Sequence, residues 1–197
     1  MKQTQPILGQ KGTLFFLVII SAFPPLTIDL YLPALPTMVD IFDTTESMVN
    51  LTLSSYFVTY ALGLLFWGPL SEKFGRKPIL LTGIGGYMLA SIACAMSNDI
   101  EHLIAARVLQ AFAGSAITVV STSVVKDLFD GRERERIMAT IMSLVIIAPM
   151  VAPVLGAFLL QIASWRMMFV TLAVFGACAS ILAFCYKETL ETRYTAH

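Results

Sequence analysis

Long apolar runs separated by short polar connections dominate this sequence. Windows of roughly 19 residues place them at residues 14–35, 49–70, 78–97, 102–126, 137–162 and 166–186. A soluble core would alternate apolar and polar residues at the helical or strand period, whereas these runs reach the length that crosses a bilayer. The pattern therefore predicts an all-α transmembrane fold, with residues 1–197 forming one six-helix membrane domain.

Composition agrees with a membrane protein and excludes some partners. Hydrophobic residues make up 57% of the chain and charged residues only 13%, about half the share in an ordinary soluble domain. Thirteen basic residues balance thirteen acidic ones, so net charge does not point to nucleic acid. The run DGRERERI at residues 130–137 is interpreted as a solvated, self-paired loop. Membrane lipid is the expected surrounding, and no nucleic-acid partner is expected.

Basic residues are concentrated in every second connection. They are Lys2, Lys11, Lys73, Arg76, Lys77, Lys126, Arg132, Arg134, Arg136, Lys187 and Arg193. Of the other three connections, two carry acids and no base, and the last has only Arg166. Because cytoplasmic loops are enriched in Lys and Arg, both termini are predicted to be cytoplasmic.

Two ionisable residues, Asp29 and Arg107, fall inside the apolar runs. Lipid cannot solvate a charge, so such residues are functional candidates by default. Counted along their helices, the two lie at about the same depth and are able to meet. The functional interpretation makes Asp29 a site for a proton or a cationic substrate, with Arg107 controlling its ionisation. The alternative is a structural ion pair.

Prolines surround Asp29 in the first run. Pro24, Pro25 and Pro33 each remove a backbone donor, which predicts a kink or unwinding. Irregular helix at membrane depth is tolerated only against protein or a cavity. This favours a first helix that lines a central cavity. Candidate cavity contacts along the chain are Phe23, Tyr31, Gln110 and Met150.

Small and polar residues follow helical spacing in the fourth and fifth runs. Arg107, Gln110 and Gly114 share one face at i, i+3 and i+7. In the fifth run, Ala148, Ala152 and Gly156 recur at four-residue steps, which permits close helix approach. Pro149 and Pro153 add bend, so this segment serves either packing or gating.

Four segments resemble signatures of the major facilitator superfamily or of one of its branches. The run GPLSEKFGRKP, from Gly68 to Pro78, is similar to the loop signature between the second and third helices, with Glu72 where the family usually has Asp. RVLQAFAG at residues 107–114 resembles the fourth-helix motif. APMVAPVLGA at residues 148–157 resembles the antiporter motif, and DLYLPALP at residues 29–36 is similar to the Bcr/CflA branch of drug:proton antiporters.

The resemblance implies the N-terminal six-helix half of a major facilitator transporter in a bacterial inner membrane. It implies efflux of drug-like compounds, including chloramphenicol and bicyclomycin types, driven by a proton gradient and without a cofactor. It also implies that Glu72 and Arg76 form a charge cluster with Asp127 that holds the outward-open state. Gly68, Gly75 and Lys77 belong to the same conformational motif.

Members of that superfamily have twelve helices, and substrate binds between two halves near mid-bilayer. The chain is therefore expected to be a truncated product, a homodimer, or a half that pairs with a C-terminal partner. The resemblance also implies that its ligands are small amphipathic substrates and protons. Alternative functions are transport of one specific metabolite, or a non-transporting membrane module. No nucleophile constellation, metal-ligand spacing or phosphate loop is present, so neither an enzyme nor a metal site is expected.

Overall fold

The computed structural model describes residues 5–189 as a bundle of helices joined by short turns. In chain order these are α1 (Gly9–Ser21), α2 (Phe23–Asp29), a 3₁₀-helix (Leu32–Ala34), α3 (Leu35–Ile41), α4 (Glu46–Phe74), α5 (Arg76–Ala95), α6 (Ile100–Leu128), α7 (Gly131–Ile162) and α8 (Trp165–Cys185). The first four make one crossing, so the described chain has six segments long and apolar enough to span a membrane. The predicted six-helix fold is confirmed. Lys2 and Arg193, used above for orientation, lie outside the described residues.

Helix ends extend beyond the apolar runs that predicted them. α7 begins at Gly131 rather than at residue 137, and the first crossing covers Gly9–Ile41 rather than residues 14–35. Hydropathy windows exclude charged residues, but backbone hydrogen bonding continues through them where side chains reach water. The run at residues 131–136, interpreted above as part of a loop, is therefore the first turns of α7.

The first crossing is broken, as its prolines predicted. Pro24 and Pro25 have no N–H to donate to the preceding turn, so α1 cannot continue and a separate helix begins. Pro33 likewise leaves the carbonyl of Asp29 without its i+4 donor, and the 3₁₀-helix follows. The crossing therefore changes its hydrogen bonding on both sides of Asp29.

α6 lies at the centre of the described bundle and is its most buried crossing. α4 and α5 pack along α6, α8 packs on α5, and α7 rests on the first crossing. α7 is the least buried crossing, and Ile146, Met150 and Val154 are exposed on it. Such an apolar surface is stable against lipid or apolar protein and not against water.

Close contact between α5 and α6 depends on a glycine. A Cβ added at Gly83 would lie 2.9 Å from the Cβ of Ala116 and 3.1 Å from the carbonyl oxygen of Ala113. Backbone atoms cannot rotate away as a flexible side chain can, so this approach excludes a larger residue. A Cβ at Gly85, on the same helix, would meet open space.

These two glycines form a matched pair for a stability measurement. Gly83→Ala should lower the thermal unfolding midpoint of the purified chain, because overpacking costs about 1–3 kcal/mol. Gly85→Ala should leave the midpoint unchanged or raise it, since Ala favours helix by about 1 kcal/mol. Equal midpoints for the two variants would contradict the proposed close approach of α5 and α6.

Candidate functional site

Arg107 is fully buried in the interior of the bundle, enclosed by aromatic rings. Its guanidinium carbon lies 4.5 Å from the ring centroid of Tyr56, 4.9 Å from that of Tyr31 and 5.9 Å from that of Phe169. The π faces of these rings attract a cation. One ring thus comes from each of α4, the first crossing and α8. These three rings around Arg107 are called the Arg107 box below.

Hydrogen bonds from Arg107 join three crossings. Its Nη1 donates to the carbonyl oxygen of Thr27 at 3.1 Å and to Oε1 of Gln110 at 2.8 Å. Gln110 Nε2 in turn donates to the Ser91 hydroxyl at 2.9 Å. Within residues 5–189, Nε and Nη2 of Arg107 have no hydrogen-bond acceptor. The cation is therefore held by one donor nitrogen and the surrounding rings.

Hydroxyl pairs fix the neighbours of Arg107. The hydroxyls of Thr27 and Tyr87 are 2.6 Å apart, and those of Tyr31 and Thr52 are 3.1 Å apart. Each pair connects the first crossing to another helix, α5 or α4. These bonds hold the Thr27 carbonyl and the Tyr31 ring in place beside the guanidinium.

Asp29 lies at the break in the first crossing, half-buried. It is two residues beyond Thr27, whose backbone carbonyl accepts a hydrogen bond from Arg107. Among the described residues, Asp29 and Arg107 form no ion pair. The structure thus brings the two residues to one region of the fold without joining their charged groups in an ion pair.

The remaining predicted cavity contacts lie in different surroundings. Phe23 is buried, with its ring 4.8 Å from the rings of both Tyr87 and Phe175. Met150 is 73% exposed on the outer face of α7. Tyr31 and Gln110 belong to the surroundings of Arg107, whereas Phe23 packs in the bundle interior and Met150 faces away from it.

Gly156 brings α7 against the broken crossing. A Cβ at this position would overlap the carbonyl oxygen of Leu30, the residue after Asp29. Ala152, one turn earlier, is also fully buried. Pro149 is exposed and Pro153 half-buried within α7. The small residues of α7 therefore pack against the first crossing at Gly156. A role of this segment in gating remains a prediction.

A second charged cluster lies where α4 meets α5. This end of the bundle carries most of the basic residues and is called the basic end below. Gly75 joins the helices with a φ of +102°, a conformation that favours glycine. Arg76 then donates from Nε and Nη2 to the carboxylate of Asp127 at 2.9 and 3.4 Å, and from Nη1 to the Ser71 hydroxyl at 2.7 Å.

The structure does not bring Glu72 and Gly68 into this cluster. The Glu72 side chain is exposed and makes no hydrogen bond or ion pair within residues 5–189. A Cβ at Gly68 would meet no atom within 4 Å. Arg76 and Asp127 are brought together as the sequence resemblance implies, but Glu72 points into the surroundings.

Glu188, which follows α8, occupies the place beside Arg76. Its carboxylate oxygens accept hydrogen bonds from the backbone N–H groups of Arg76 at 3.0 Å and of Lys77 at 2.9 Å. These are the first amides of α5, where the helix dipole favours an anion. Lys77 Nζ completes the contact by donating to the carbonyls of Phe184 and Tyr186 at 3.0 and 2.7 Å.

Sequence reasoning missed Glu188 because its partners lie more than a hundred positions away. One signal in the sequence could have indicated it. Glu188 is an acid just after the last apolar run, and the basic loop between α4 and α5 is predicted at the same end of the bundle. Thr189 adds a hydrogen bond from its hydroxyl to Asp127 at 3.0 Å. Burial raises the pKa of the Tyr186 phenol beside it, so this residue stays neutral at physiological pH.

The two clusters differ in the chemistry that they allow. The region around Asp29 combines an ionisable carboxylate, a fixed buried cation and irregular backbone, which suits binding and release of a proton. The Arg76 cluster is a fully paired set of charges that suits a conformational contact. In the described part of the chain, no three His, Cys, Asp or Glu side chains converge as metal ligands do.

Amide exchange tests the contact of Glu188 with α5. Glu188→Gln should speed hydrogen exchange of the peptide spanning residues 75–78 by about tenfold, because a charge-assisted bond to an amide contributes about 1.5–3 kcal/mol. Glu72→Gln, in the same region but without a partner in the described chain, is the control and should change nothing. Exchange that is unaffected by Glu188→Gln would contradict the contact.

Comparisons with known proteins agree with this fold and its motifs. Residues 14–195 match the Major Facilitator Superfamily. The chain is 34% identical over 178 residues to the bicyclomycin resistance protein homolog of Haemophilus influenzae, covering 89% of this chain and 45% of that protein. It is 37% identical over 169 residues to the chloramphenicol resistance protein of Pseudomonas aeruginosa, covering 85% and 40%.

Solved transporters share the fold at low sequence identity. A D-xylose–proton symporter superposes with a TM-score of 0.79 at 11% identity, covering 90% of this chain and 48% of the symporter. A peptide transporter gives a TM-score of 0.78 at 16% identity, over 91% of this chain and 39% of that protein. The chain thus spans about half the length of the relatives it matches. Because the family match covers nearly the whole chain, this chain belongs to the Major Facilitator Superfamily.

Proposed function

We propose that the chain supplies the N-terminal six-helix half of a proton-coupled exporter of drug-like small molecules. The observation that carries the proposal is the half-buried Asp29 carboxylate at a helix break, two residues from the carbonyl that binds the buried Arg107. Relatives named for resistance to bicyclomycin and chloramphenicol support the substrate class.

The proposed coupling uses one carboxylate for the proton. Asp29 takes up a proton from the outer side and releases it inward after the half has changed its orientation. Arg107 forms no ion pair with Asp29, so its proposed part is to hold the Thr27 carbonyl and with it the helix that carries Asp29. Contact of α7 at Gly156 with Leu30 positions the broken segment that carries Asp29.

Change of orientation requires two six-helix bodies that rock against each other. We infer that the exposed apolar faces of α4 and α7 adjoin a second body, either a C-terminal half or a second copy of this chain. The Arg76–Asp127 pair, clamped by Glu188, holds one orientation from the basic end. By the positive-inside rule, this end faces the cytoplasm of a bacterial inner membrane.

Export is tested by the energy-dependent lowering of chloramphenicol accumulation in cells. The chain is expressed alone and together with the C-terminal half of the Pseudomonas aeruginosa relative, with membrane insertion measured in each case. Lowered accumulation by the chain alone supports a dimer, and lowering only with the second half supports a two-part exporter. Correct insertion with no export in either arm contradicts the proposed function. Export of a single narrow compound across a substrate panel points instead to a metabolite transporter.

Asp29→Asn tests the proton role. The amide keeps the shape but cannot ionise, so pH-driven export should be lost while insertion stays normal. Asp40→Asn, an exposed acid on α3, is the matched control and should export like the parent. Unchanged pH-driven export by Asp29→Asn would remove this carboxylate from the coupling step.

Arg107→Lys tests the guanidinium. Lysine keeps the charge but cannot present a planar cation to Tyr31 and Tyr56 while also bonding Thr27 and Gln110. Export should fall about tenfold or more, since a hydrogen bond to a charged group contributes about 1.5–3 kcal/mol. Arg132→Lys, exposed at the start of α7, is the control. Full export by Arg107→Lys would mean that export needs only a positive charge at this position and not the planar guanidinium.

A further inference from the structure

A small polar pocket lies between α1, α6 and α7, beside the break that separates α1 from α2. It encloses about 30 Å³. The hydroxyls of Ser21, Ser121 and Thr122 line it together with apolar side chains of α6 and α7. A water molecule needs at least about 10–15 Å³. The pocket therefore has room for water but not for a drug-like compound or an acyl chain.

The prolines of the first crossing leave a backbone acceptor without its helical partner at this pocket. A continuous helix would bond the Ser21 carbonyl to the N–H of residue 25, but Pro24 and Pro25 have no N–H. The next donor along the chain, the N–H of Leu26, bonds the carbonyl of Ala22 at 3.1 Å. The turn that follows Ser21 thus gives its carbonyl no hydrogen bond. Within a membrane, such a group is tolerated where a side chain or an ordered water satisfies it.

The hydroxyls of the pocket also need a further partner. The Oγ atoms of Ser21 and Ser121 are 2.6 Å apart and share one hydrogen bond. Only one of the two can donate in that bond, so the hydroxyl proton of the other needs a separate acceptor. Within residues 5–189, neither serine has a second hydroxyl bond and Thr122 has none. The pocket thus presents both a donor and acceptors to a ligand that can accept and donate hydrogen bonds.

We propose that this pocket binds one ordered water molecule that hydrates the break between α1 and α2. The water accepts the remaining proton of the Ser21–Ser121 pair and donates to Thr122 Oγ1 and to the Ser21 carbonyl. Three bonds are about the usual number for a buried water. The serine pair attaches the chain to α6 before the break, as the bond from Arg107 to Thr27 does after it. The water completes the first of these two attachments.

X-ray radiolytic labelling of the detergent-purified chain tests for this water without a transport assay. Hydroxyl radicals formed from a bound water oxidise the nearest side chains, here Met138 in the pocket wall. Thr122→Val keeps the side-chain volume but removes a hydroxyl, and Ser121→Ala removes another. Each should slow the oxidation of Met138 by about threefold or more, because a lost hydrogen bond lowers the occupancy of the water. Met88, half-buried on α5 outside the pocket, is the internal reference and should keep its rate.

Two hydroxyl variants outside the pocket are the matched controls. Ser115→Ala removes a buried hydroxyl of α6 that bonds the carbonyl of Phe112. Thr82→Val removes an exposed hydroxyl of α5 that bonds the carbonyl of Pro78. Both variants should oxidise Met138 at the parent rate, because neither residue lines the pocket.

Three outcomes would overturn the proposal. Unchanged oxidation of Met138 in both Thr122→Val and Ser121→Ala would mean that no water depends on these hydroxyls. Equal slowing of Met138 in the control variants would remove the pocket from the effect. Equal slowing of Met88 would assign the effect to a change in the whole bundle.

Discussion

The burial of one positive charge constrains most of this structure. Arg107 cannot be solvated by lipid, and an unpaired ion in an apolar interior costs several kcal/mol. Among the described residues, no carboxylate pairs with Arg107. The guanidinium is instead surrounded by rings from three crossings and bonds the Thr27 carbonyl and the Gln110 side-chain amide. The positions of α4, α8 and the first crossing around α6 are therefore linked to a single side chain.

α6 connects the two polar clusters. Arg107 lies near one end of this helix and Asp127 near the other, about 30 Å apart along its axis. The first cluster binds the broken crossing, and the second binds the start of α5 and the residues after α8. A change in the contacts at either end therefore acts on one continuous helix, which suits a half that moves as a unit.

The outer surface carries two kinds of apolar contact. α7 exposes large side chains along most of its length, and this is one of the surfaces proposed above to adjoin a second six-helix body. The groove between α4, α5 and α6 is a separate apolar surface and is concave, with Trp67, Leu109 and Phe112 in its wall. The two surfaces therefore differ in position and in shape.

The sequence by itself determined the six crossings, because bilayer length and hydropathy act locally along the chain. It also predicted the break around Asp29, since proline removes a donor wherever it stands, and it singled out Arg107, Arg76 and Asp127. Only the tertiary structure decided which of these residues meet. Among the described residues, it left Asp29 without an ion pair to Arg107, left Glu72 exposed, and placed Glu188 on the first amides of α5. Those contacts depend on how helices rotate and pack, and side-chain direction around a buried helix is set by its neighbours and not by its own sequence.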